Sequence, residues 1–296
     1  MSQPRPLDVL GVAAVLLLCV SWGFQQPAIK LALADVPPGT QAAIRSAGAA
    51  VLVGIWIRLR GERFNFSDGT LWPGIGAGLL FGIEFLFMYT ALNLTDASRA
   101  VVFIYVAPFV VAIGSHVLLG TDRMGWRGWL GIVVAFVGMV VALQPWAAAR
   151  SSFVGDACAL LAGFFWGSTT LLIKGTRLRA APAATALQYQ LVVSAPVLLA
   201  GGLLMGEQMN WPWTPLTWAA ILFQTVWVVA ITFGIWFALI ARYSPSRLSV
   251  FTFITPLITM AVGHFLLGEV LTPDFLGAGA LVIGGLVLVS WPSQRA

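Results

Sequence analysis

Long apolar stretches follow one another along almost the whole chain, and a few polar, proline or glycine residues separate each from the next. Each stretch has about the 20 residues that a helix needs to cross a hydrocarbon core of ~30 Å. The pattern therefore predicts ten membrane-spanning helices, numbered here as spans 1 to 10. Their predicted bounds are Val9–Lys30, Thr40–Leu59, Leu71–Leu92, Ala97–Leu119, Trp126–Leu143, Val154–Ile173, Ala183–Leu204, Leu216–Ala241, Ser246–Leu267 and Asp274–Trp291.

Composition agrees with this reading and excludes an ordinary water-soluble chain. Of the 296 residues 59% are hydrophobic and only 9% are charged, whereas about 25% of a typical soluble domain is charged. The net charge of +5 does not indicate nucleic-acid binding, because the Lys and Arg residues are scattered over short loops. The chain is predicted to be an all-α integral membrane protein with a bilayer around it.

The basic residues collect on alternate connections, as the positive-inside rule requires of cytoplasmic loops. With the N-terminus in the cytoplasm, 12 of the 16 Lys and Arg residues lie on the inner side. Lys30, Arg99 and Arg150 lie on the outer side, and Arg45 lies within span 2. This bias predicts that both termini are cytoplasmic, and we expect a multi-pass protein of a cell inner (plasma) membrane.

The two halves of the chain repeat each other. At an offset of 148, nine of the 23 residues from Ser98 to Gly120 recur between Ser246 and Gly268. The recurring residues are Ser98, Arg99, Val102, Phe103, Pro108, His116, Leu118, Leu119 and Gly120. At an offset of 144, Trp22, Gly23, Ile29 and Lys30 recur as Trp166, Gly167, Ile173 and Lys174.

These matches divide the chain into a repeat of spans 1–5, residues 1–148, and a repeat of spans 6–10, residues 149–296. Because each repeat has an odd number of spans, the second enters the membrane upside down. Inverted repeats are the architecture of many secondary transporters, with the substrate site near the midplane between the halves. A duplicated membrane protein without transport activity is the alternative.

The same residues resemble the drug/metabolite transporter superfamily, in its EamA-type ten-helix branch. The resemblance rests on the Trp-Gly pairs of spans 1 and 6, on Arg45 in span 2, and on the Ser246–Glu269 block. It covers essentially the whole chain and implies export of amino acids or other small metabolites. The aromatic amino acid exporters are the most similar subgroup. Thr121 stands where the second repeat has Glu269, and Tyr189 where span 2 has Arg45, so the halves are not equivalent.

Two ionisable residues lie within the spans. Glu84 is near the middle of span 3, where a charge is costly and usually faces a cavity. It either meets a substrate ammonium or a proton, or is a protonated or paired carboxylate that tethers helices. Arg45 lies closer to the outer end of span 2. It is expected to have a structural role, by reaching the interface or by pairing with Glu84 or a helix C-terminus.

Proline and aromatic side chains complete the predicted site. Pro108 and Pro256 interrupt spans 4 and 9 at repeat-related positions, and a proline inside a helix kinks it. The two kinks are either bending gates or features of packing. The predicted lining, for which ordinary helix packing is the alternative, consists of Trp22, Gln25, Glu84, Tyr105, Phe109, Trp166, Thr170, Gln188, Trp227 and Phe253.

The sequence thus favours a secondary active or facilitative transporter that exports aromatic or other neutral amino acids by alternating access, and not an enzyme. A lining of this kind suits a zwitterion with an apolar side chain, and protons are a candidate coupling ion. A monomer is favoured, and neither a cofactor nor a metal is expected, since no P-loop and no metal-ligand spacing occur. The alternatives are an exporter of other metabolites or drugs, a passive channel, and a membrane-embedded lipid or isoprenoid enzyme.

Overall fold

The computed structural model describes residues 7–61, 68–95, 97–120, 124–144, 146, 152–267 and 275–290. The described residues form helices joined by turns. The first half contains α1 (Val9–Ala32), α2 (Pro38–Leu59), α3 (Leu71–Leu94), α4 (Ala97–Ile104), α5 (Ala107–Gly114), a π-helical turn (Ser115–Leu119) and α6 (Trp126–Leu143). The second half contains α7 (Phe153–Gly175), α8 (Ala183–Leu204), α9 (Pro215–Leu222), a π-helical segment (Phe223–Thr232), α10 (Phe233–Arg242), α11 (Pro245–Phe251), α12 (Ile254–Leu267) and α13 (Phe275–Ser290).

Seven helices in the described part of the chain are long and apolar enough to cross a membrane. They cover spans 1, 2, 3, 4, 6, 7 and 8, and span 4 counts as one crossing although a turn interrupts its helix. Spans 5 and 10 are shorter apolar helices, and span 9 is divided into α11 and α12. The helical, membrane-spanning character is confirmed, whereas the number of ten crossings and the side of each terminus stay predictions.

The surface of the helices is apolar and several of the buried side chains are polar, which is the reverse of a soluble protein. Val51, Val192 and Ile283 are all more than half exposed. Gln190 and Gln224, in contrast, are fully buried. Lipid tails are as apolar as leucine, so outward-facing apolar side chains cost nothing in a bilayer and polar ones are kept inside.

Both predicted proline kinks are complete breaks between two helices. α4 ends at Ile104, and α5 begins at Ala107, one residue before Pro108. α11 ends at Phe251, and α12 begins at Ile254, two residues before Pro256. A proline has no backbone N–H to donate to the carbonyl four residues earlier, and its ring clashes with that carbonyl. These carbonyls belong to Ile104 and Thr252, which is where the two interruptions lie.

Helices at repeat-related positions make equivalent contacts. α1 packs on α12, as α7 packs on α4 and α5; α2 packs on the π-helical segment, as α8 packs on α3. The pairs α2–α8 and α6–α13 each join a helix to its own repeat mate, and α5 packs on α11, which is the repeat mate of α4. In the described part of the chain, repeat-related helices therefore pack against one another and against equivalent neighbours.

The repeated Trp-Gly pair has a packing reason. A Cβ on Gly23 would lie 2.5 Å from Ile258 Cγ2 in α12, and one on Gly167 would lie 2.7 Å from Val110 Cβ in α5. Each glycine therefore lets its helix approach the broken helix of the other half, at repeat-related places. Small residues at such positions are the usual means of close helix packing in membranes.

Candidate functional site

Glu84 owes its position to a glycine stripe on α3. A Cβ on Gly74 would clash with the Tyr189 ring and one on Gly78 with Val193, and one on Gly82 would lie in tight contact with Val197 at 3.0 Å, all on α8. With 3.6 residues per turn, Glu84 points roughly 200° round α3 from Gly82, away from this contact. Glu84 is 8% exposed, so its carboxylate is held within the helix bundle.

An aromatic cluster surrounds this part of α3. The Phe81 ring contacts Phe85 at 4.9 Å and Phe233 of α10 at 5.8 Å between centroids, and Phe233 contacts Trp22 of α1 at 5.9 Å. Trp236 lies 5.4 Å from Trp22 on its other side. These five side chains, the first aromatic cluster, join α1, α3 and α10 through edge-to-face contacts, which are favourable for aromatic rings.

Arg45 is completely buried and contacts this cluster. Its Cζ lies 4.2 Å from the centroid of the Phe85 ring, in cation–π geometry. Its three side-chain nitrogens are buried and have no hydrogen-bond partner among the described residues. Arg45 and Glu84 interact electrostatically, but no hydrogen bond between them is found in the described part of the chain. Of the two predicted possibilities for Arg45, its full burial against Phe85 favours an interior position over one at the membrane interface.

The π-helical segment is hydrogen-bonded to α1 through two of its side chains, and it carries a third buried polar side chain. The Trp22 indole donates to the Thr232 hydroxyl at 2.9 Å, and the Trp227 indole donates to the Ser21 hydroxyl at 3.0 Å. Gln224 is fully buried, and neither amide atom has a partner among the described residues. Thr232 is the repeat mate of Glu84 at the 148 offset, so the two halves place a carboxyl group and a hydroxyl at corresponding positions.

A second aromatic cluster forms at the two helix breaks. Tyr105 and Phe253, which are repeat mates, lie in the breaks with their rings 5.6 Å apart. Trp166 of α7 contacts Tyr105 edge-to-face at 5.8 Å. Phe136 of α6 lies between Phe253, at 6.2 Å, and Phe109, at 5.2 Å. The broken helices thus meet at their breaks, through aromatic side chains from both halves.

Helix α1 connects the two clusters. Cys19, one turn before Trp22, is close enough to Tyr105 to interact with it, and its thiol donates to the Phe251 carbonyl oxygen at 3.4 Å. The side chains of Trp22, Glu84, Tyr105, Phe109, Trp166 and Phe253 therefore belong to one connected interior. Together these side chains give the interior an apolar wall with few polar groups, which is usual for small-molecule sites.

The other four predicted lining residues do not belong to either aromatic cluster. Gln188 faces a groove of about 450 Å³ between α2 and α8, with Gly54 and Arg58. The Thr170 hydroxyl donates to the Trp166 carbonyl oxygen of its own helix at 3.3 Å. Trp227 is 38% exposed, although its indole reaches Ser21, and Gln25 is buried on α1.

Sequence reasoning missed the phenylalanines that hold the site together. Phe81, Phe85, Phe136 and Phe233 are indistinguishable from other apolar residues in a chain with 19 phenylalanines. One signal was available, because Phe85 and Phe233 are repeat mates at the 148 offset.

Two loop contacts close opposite ends of the bundle. In the first, the Asp35 carboxylate accepts from the Thr217 hydroxyl at 2.6 Å and from the Thr214 N–H at 2.8 Å. These donors lower the pKa of Asp35 below its ordinary value. The Glu207 carboxylate accepts from the Gly39 and Thr40 N–H groups at 2.9 and 2.7 Å, at the N-terminus of α2. The loop after α8 is thereby fixed to the loop after α1.

In the second loop contact, Arg177 donates to the Asp68 carbonyl oxygen at 3.1 Å. The Asp68 carboxylate accepts from the Thr70 hydroxyl at 2.6 Å and from its N–H at 2.8 Å, which lowers the pKa of Asp68. The Thr70 hydroxyl also lies 3.2 Å from the Tyr189 hydroxyl. This contact joins the loops after α2 and α7, the repeat mates of those joined by the first.

Comparison with known proteins identifies the family. The family model described as "EamA-like transporter family" matches twice, over residues 9–144 and 153–291. This chain belongs to the EamA-like transporter family. The two matched segments have nearly equal length and together cover almost the whole chain. Transport, as opposed to catalysis, is thus the activity of the family to which the chain belongs.

Individual relatives can be aligned with this chain over most of their length. The uncharacterized transporter YvbV of Bacillus subtilis is 25% identical over 279 residues, which cover 94% of this chain and 90% of that protein. The probable amino-acid metabolite efflux pump of Salmonella typhimurium is 26% identical, with 92% of each chain covered. A solved crystal structure superposes with a TM-score of 0.80 at 21% identity, over 95% of this chain and 96% of that one, which shows a shared fold.

Proposed function

We propose that this chain exports aromatic or other neutral amino acids and related small metabolites across a cell inner membrane, as a secondary active or facilitative transporter. The observation that carries the proposal is the buried Glu84 beside a cluster of aromatic rings. A carboxylate meets an ammonium group, and the rings accept an apolar side chain. The naming of the Salmonella typhimurium relative as an amino-acid metabolite efflux pump supports this substrate class.

The proposed architecture is two inverted repeats, residues 1–148 and 149–296, each with five crossings and with both termini cytoplasmic. The helix breaks before Pro108 and Pro256 would act as the two hinges. Tyr105 and Phe253 lie in the breaks and touch each other, so a bend at one break moves a ring of the site. Bending of this kind would open the site to one side of the membrane at a time.

The two loop contacts are the proposed locks of this cycle. In the predicted orientation, the contact of Asp35 and Glu207 closes the outer end and the contact of Asp68 and Arg177 closes the cytoplasmic end. Both are formed in the structure. Opening to either side would break one set of hydrogen bonds while the other stays intact.

The role of Glu84 is tested by transport in proteoliposomes. Glu84→Gln keeps the size of the side chain and removes its charge, and Glu84→Asp keeps the charge as the matched control. We expect Glu84→Gln to reduce uptake of labelled phenylalanine at least tenfold, because a charge-assisted hydrogen bond to the ammonium is lost. Glu84→Asp should retain a larger part of the activity.

A pH gradient separates the two roles of Glu84. If the carboxylate carries a proton, wild-type uptake responds to the gradient and the residual uptake of Glu84→Gln does not. If it binds only the ammonium, neither protein responds. Wild-type rates in Glu84→Gln at every pH, with an unchanged gel-filtration profile, would contradict both roles.

A further inference from the structure

We propose that Arg45 is a carboxylate-binding subsite, and that Arg45 and Glu84 together recognise the two charges of a zwitterionic substrate. The inference rests on the proposed function and names the part of the site that selects the substrate class. It assigns binding to a residue whose position in the sequence indicates only a structural role.

The first argument is the unmet hydrogen-bonding capacity of Arg45. Its side chain is fully buried, and Nε, Nη1 and Nη2 have no hydrogen-bond partner among the described residues. A buried charged group without partners is costly by several kcal/mol. The guanidinium has five N–H donors in a planar fork that matches a carboxylate, often with two parallel hydrogen bonds.

The second argument is how Phe85 holds the guanidinium. Cζ lies over the ring at 4.2 Å from its centroid, so the contact is made through the π-face of Phe85 and uses no hydrogen-bond donor of Arg45. The N–H donors lie in the guanidinium plane and point outward from its edges. Contact with Phe85 therefore fixes the group and leaves the donors available, which is the arrangement of a prepared binding site and not of a satisfied structural arginine.

Neighbouring polar atoms without partners add to the site. The Tyr89 hydroxyl is buried without a hydrogen-bond partner among the described residues, and its ring lies 6.0 Å from that of Phe85. Tyr89 also interacts electrostatically with Arg45. Gln41, one turn before Arg45 on α2, has a buried Oε1 that is likewise without a partner in the described residues. Two further buried polar atoms, one on the helix of Arg45 and one on the ring next to Phe85, are thus without partners in the described residues.

The third argument is charge balance. Glu84 interacts electrostatically with Arg45, without a hydrogen bond to it among the described residues, and in its ionised form it has the charge opposite to that of Arg45. A zwitterion placed between them pairs its carboxylate with Arg45 and its ammonium with Glu84, so no charge stays unpaired. An amine without a carboxylate, or an acid without an amine, leaves one buried charge unmatched and should bind more weakly than the zwitterion.

The test is a binding measurement with three ligands that share one ring. L-Phenylalanine has both charges, phenylacetate lacks the ammonium, and phenethylamine lacks the carboxylate. Their affinities for the purified full chain are measured by isothermal titration for the wild type, Arg45→Gln and Arg45→Lys. Arg45→Lys keeps the charge and loses the planar fork, and it remains informative if Arg45→Gln does not fold.

We expect Arg45→Gln to weaken phenylalanine and phenylacetate by about 10- to 100-fold and to leave phenethylamine within about threefold. Arg45→Lys should weaken the two carboxylates less, in the same order. The inference is overturned if both folded variants bind the carboxylates as the wild type does. Equal weakening of all three ligands, or no binding of phenylalanine and phenylacetate to the wild type, also overturns it.

The outcome is separable from that of the proposed function. If the wild type carries no amino acid in liposomes while phenylacetate binding depends on Arg45, the subsite stands and the substrate is another carboxylate. If the wild type carries phenylalanine and no variant of Arg45 changes its binding, the proposed function stands and this inference falls.

Discussion

Substitution of one glycine on α13, with its neighbour as control, tests the packing of α6 against α13. Gly285 is buried, and a Cβ there would lie 2.5 Å from the Gly131 carbonyl oxygen and 2.6 Å from the Ala135 nitrogen. Ordinary contact begins at 3.4 Å, so the two backbones would have to separate by about 0.9 Å. The next residue back, Gly284, is exposed and has no atom within 4 Å of its would-be Cβ.

The magnitude follows from two opposing effects. Alanine is favoured over glycine inside a helix by about 0.8–1 kcal/mol at either position, and this gain cancels when the two variants are compared. The remaining difference is the steric cost at Gly285, about 1–3 kcal/mol for overpacking against atoms that cannot rotate away. At roughly 2–4 °C per kcal/mol, Gly285→Ala should unfold about 2–12 °C below Gly284→Ala.

The assay is thermal unfolding of both purified variants in one detergent, followed by gel filtration of the soluble fraction. Since α6 and α13 contribute only Phe136 to the aromatic clusters, transport per folded molecule should be retained in both variants. Equal melting temperatures for the two variants would refute the close approach of these helices, and with it the packing of repeat mates on each other.

Three further substitutions test separate contacts. Thr232→Val removes the acceptor of the Trp22 indole and should lower the free energy of unfolding by about 1–3 kcal/mol, since it leaves a buried donor unpaired. Thr232→Ser keeps the hydroxyl and should unfold near the wild type. Equal loss of unfolding free energy in both variants would contradict the role of this hydrogen bond. Ser152→Ala removes the N-cap of α7, where the serine oxygen accepts from Gly155, and should lower the unfolding free energy by about 1 kcal/mol, whereas Ser152→Asp should preserve it. Asp35→Ala removes a carboxylate whose pKa is lowered by Thr217 and Thr214, so its melting temperature should lie below that of the wild type at pH 7. Because a lowered pKa stabilises the fold above the unfolded-state value of about 4, the gap should narrow as the pH falls below that value, and a gap that is constant down to pH 3 would contradict the assignment.

Much of the helix layout could be predicted from apolar runs and their interruptions. The bounds Trp126–Leu143 and Ala183–Leu204 agree with the structure at both ends, because glycine or proline stands just before each helix. The π-helical segment Phe223–Thr232 was not predicted. It contains neither proline nor glycine, and its polar side chains bond to α1, a contact that no local pattern records.

The candidate site was predictable where a rule concerns one residue, and not where it concerns a pair. Glu84 is identified by its ionisable group within an apolar run, and the structure buries it. The surroundings of Arg45 depend on Phe85 of another helix, so its full burial and unpaired donors are visible only in three dimensions. The repeat and the two prolines identify Tyr105 and Phe253 as equivalent residues. The contact between their rings, however, is visible only in the structure.

The measurement that tests the central claim most directly is amino acid exchange by the purified wild-type chain in proteoliposomes. Vesicles are loaded with unlabelled phenylalanine, threonine or methionine, and labelled amino acid is offered outside with and without a pH gradient. We predict saturable accumulation of label that requires the internal amino acid and is strongest for phenylalanine. Uptake no greater than in protein-free vesicles, by a chain shown to be folded, would contradict amino acid transport.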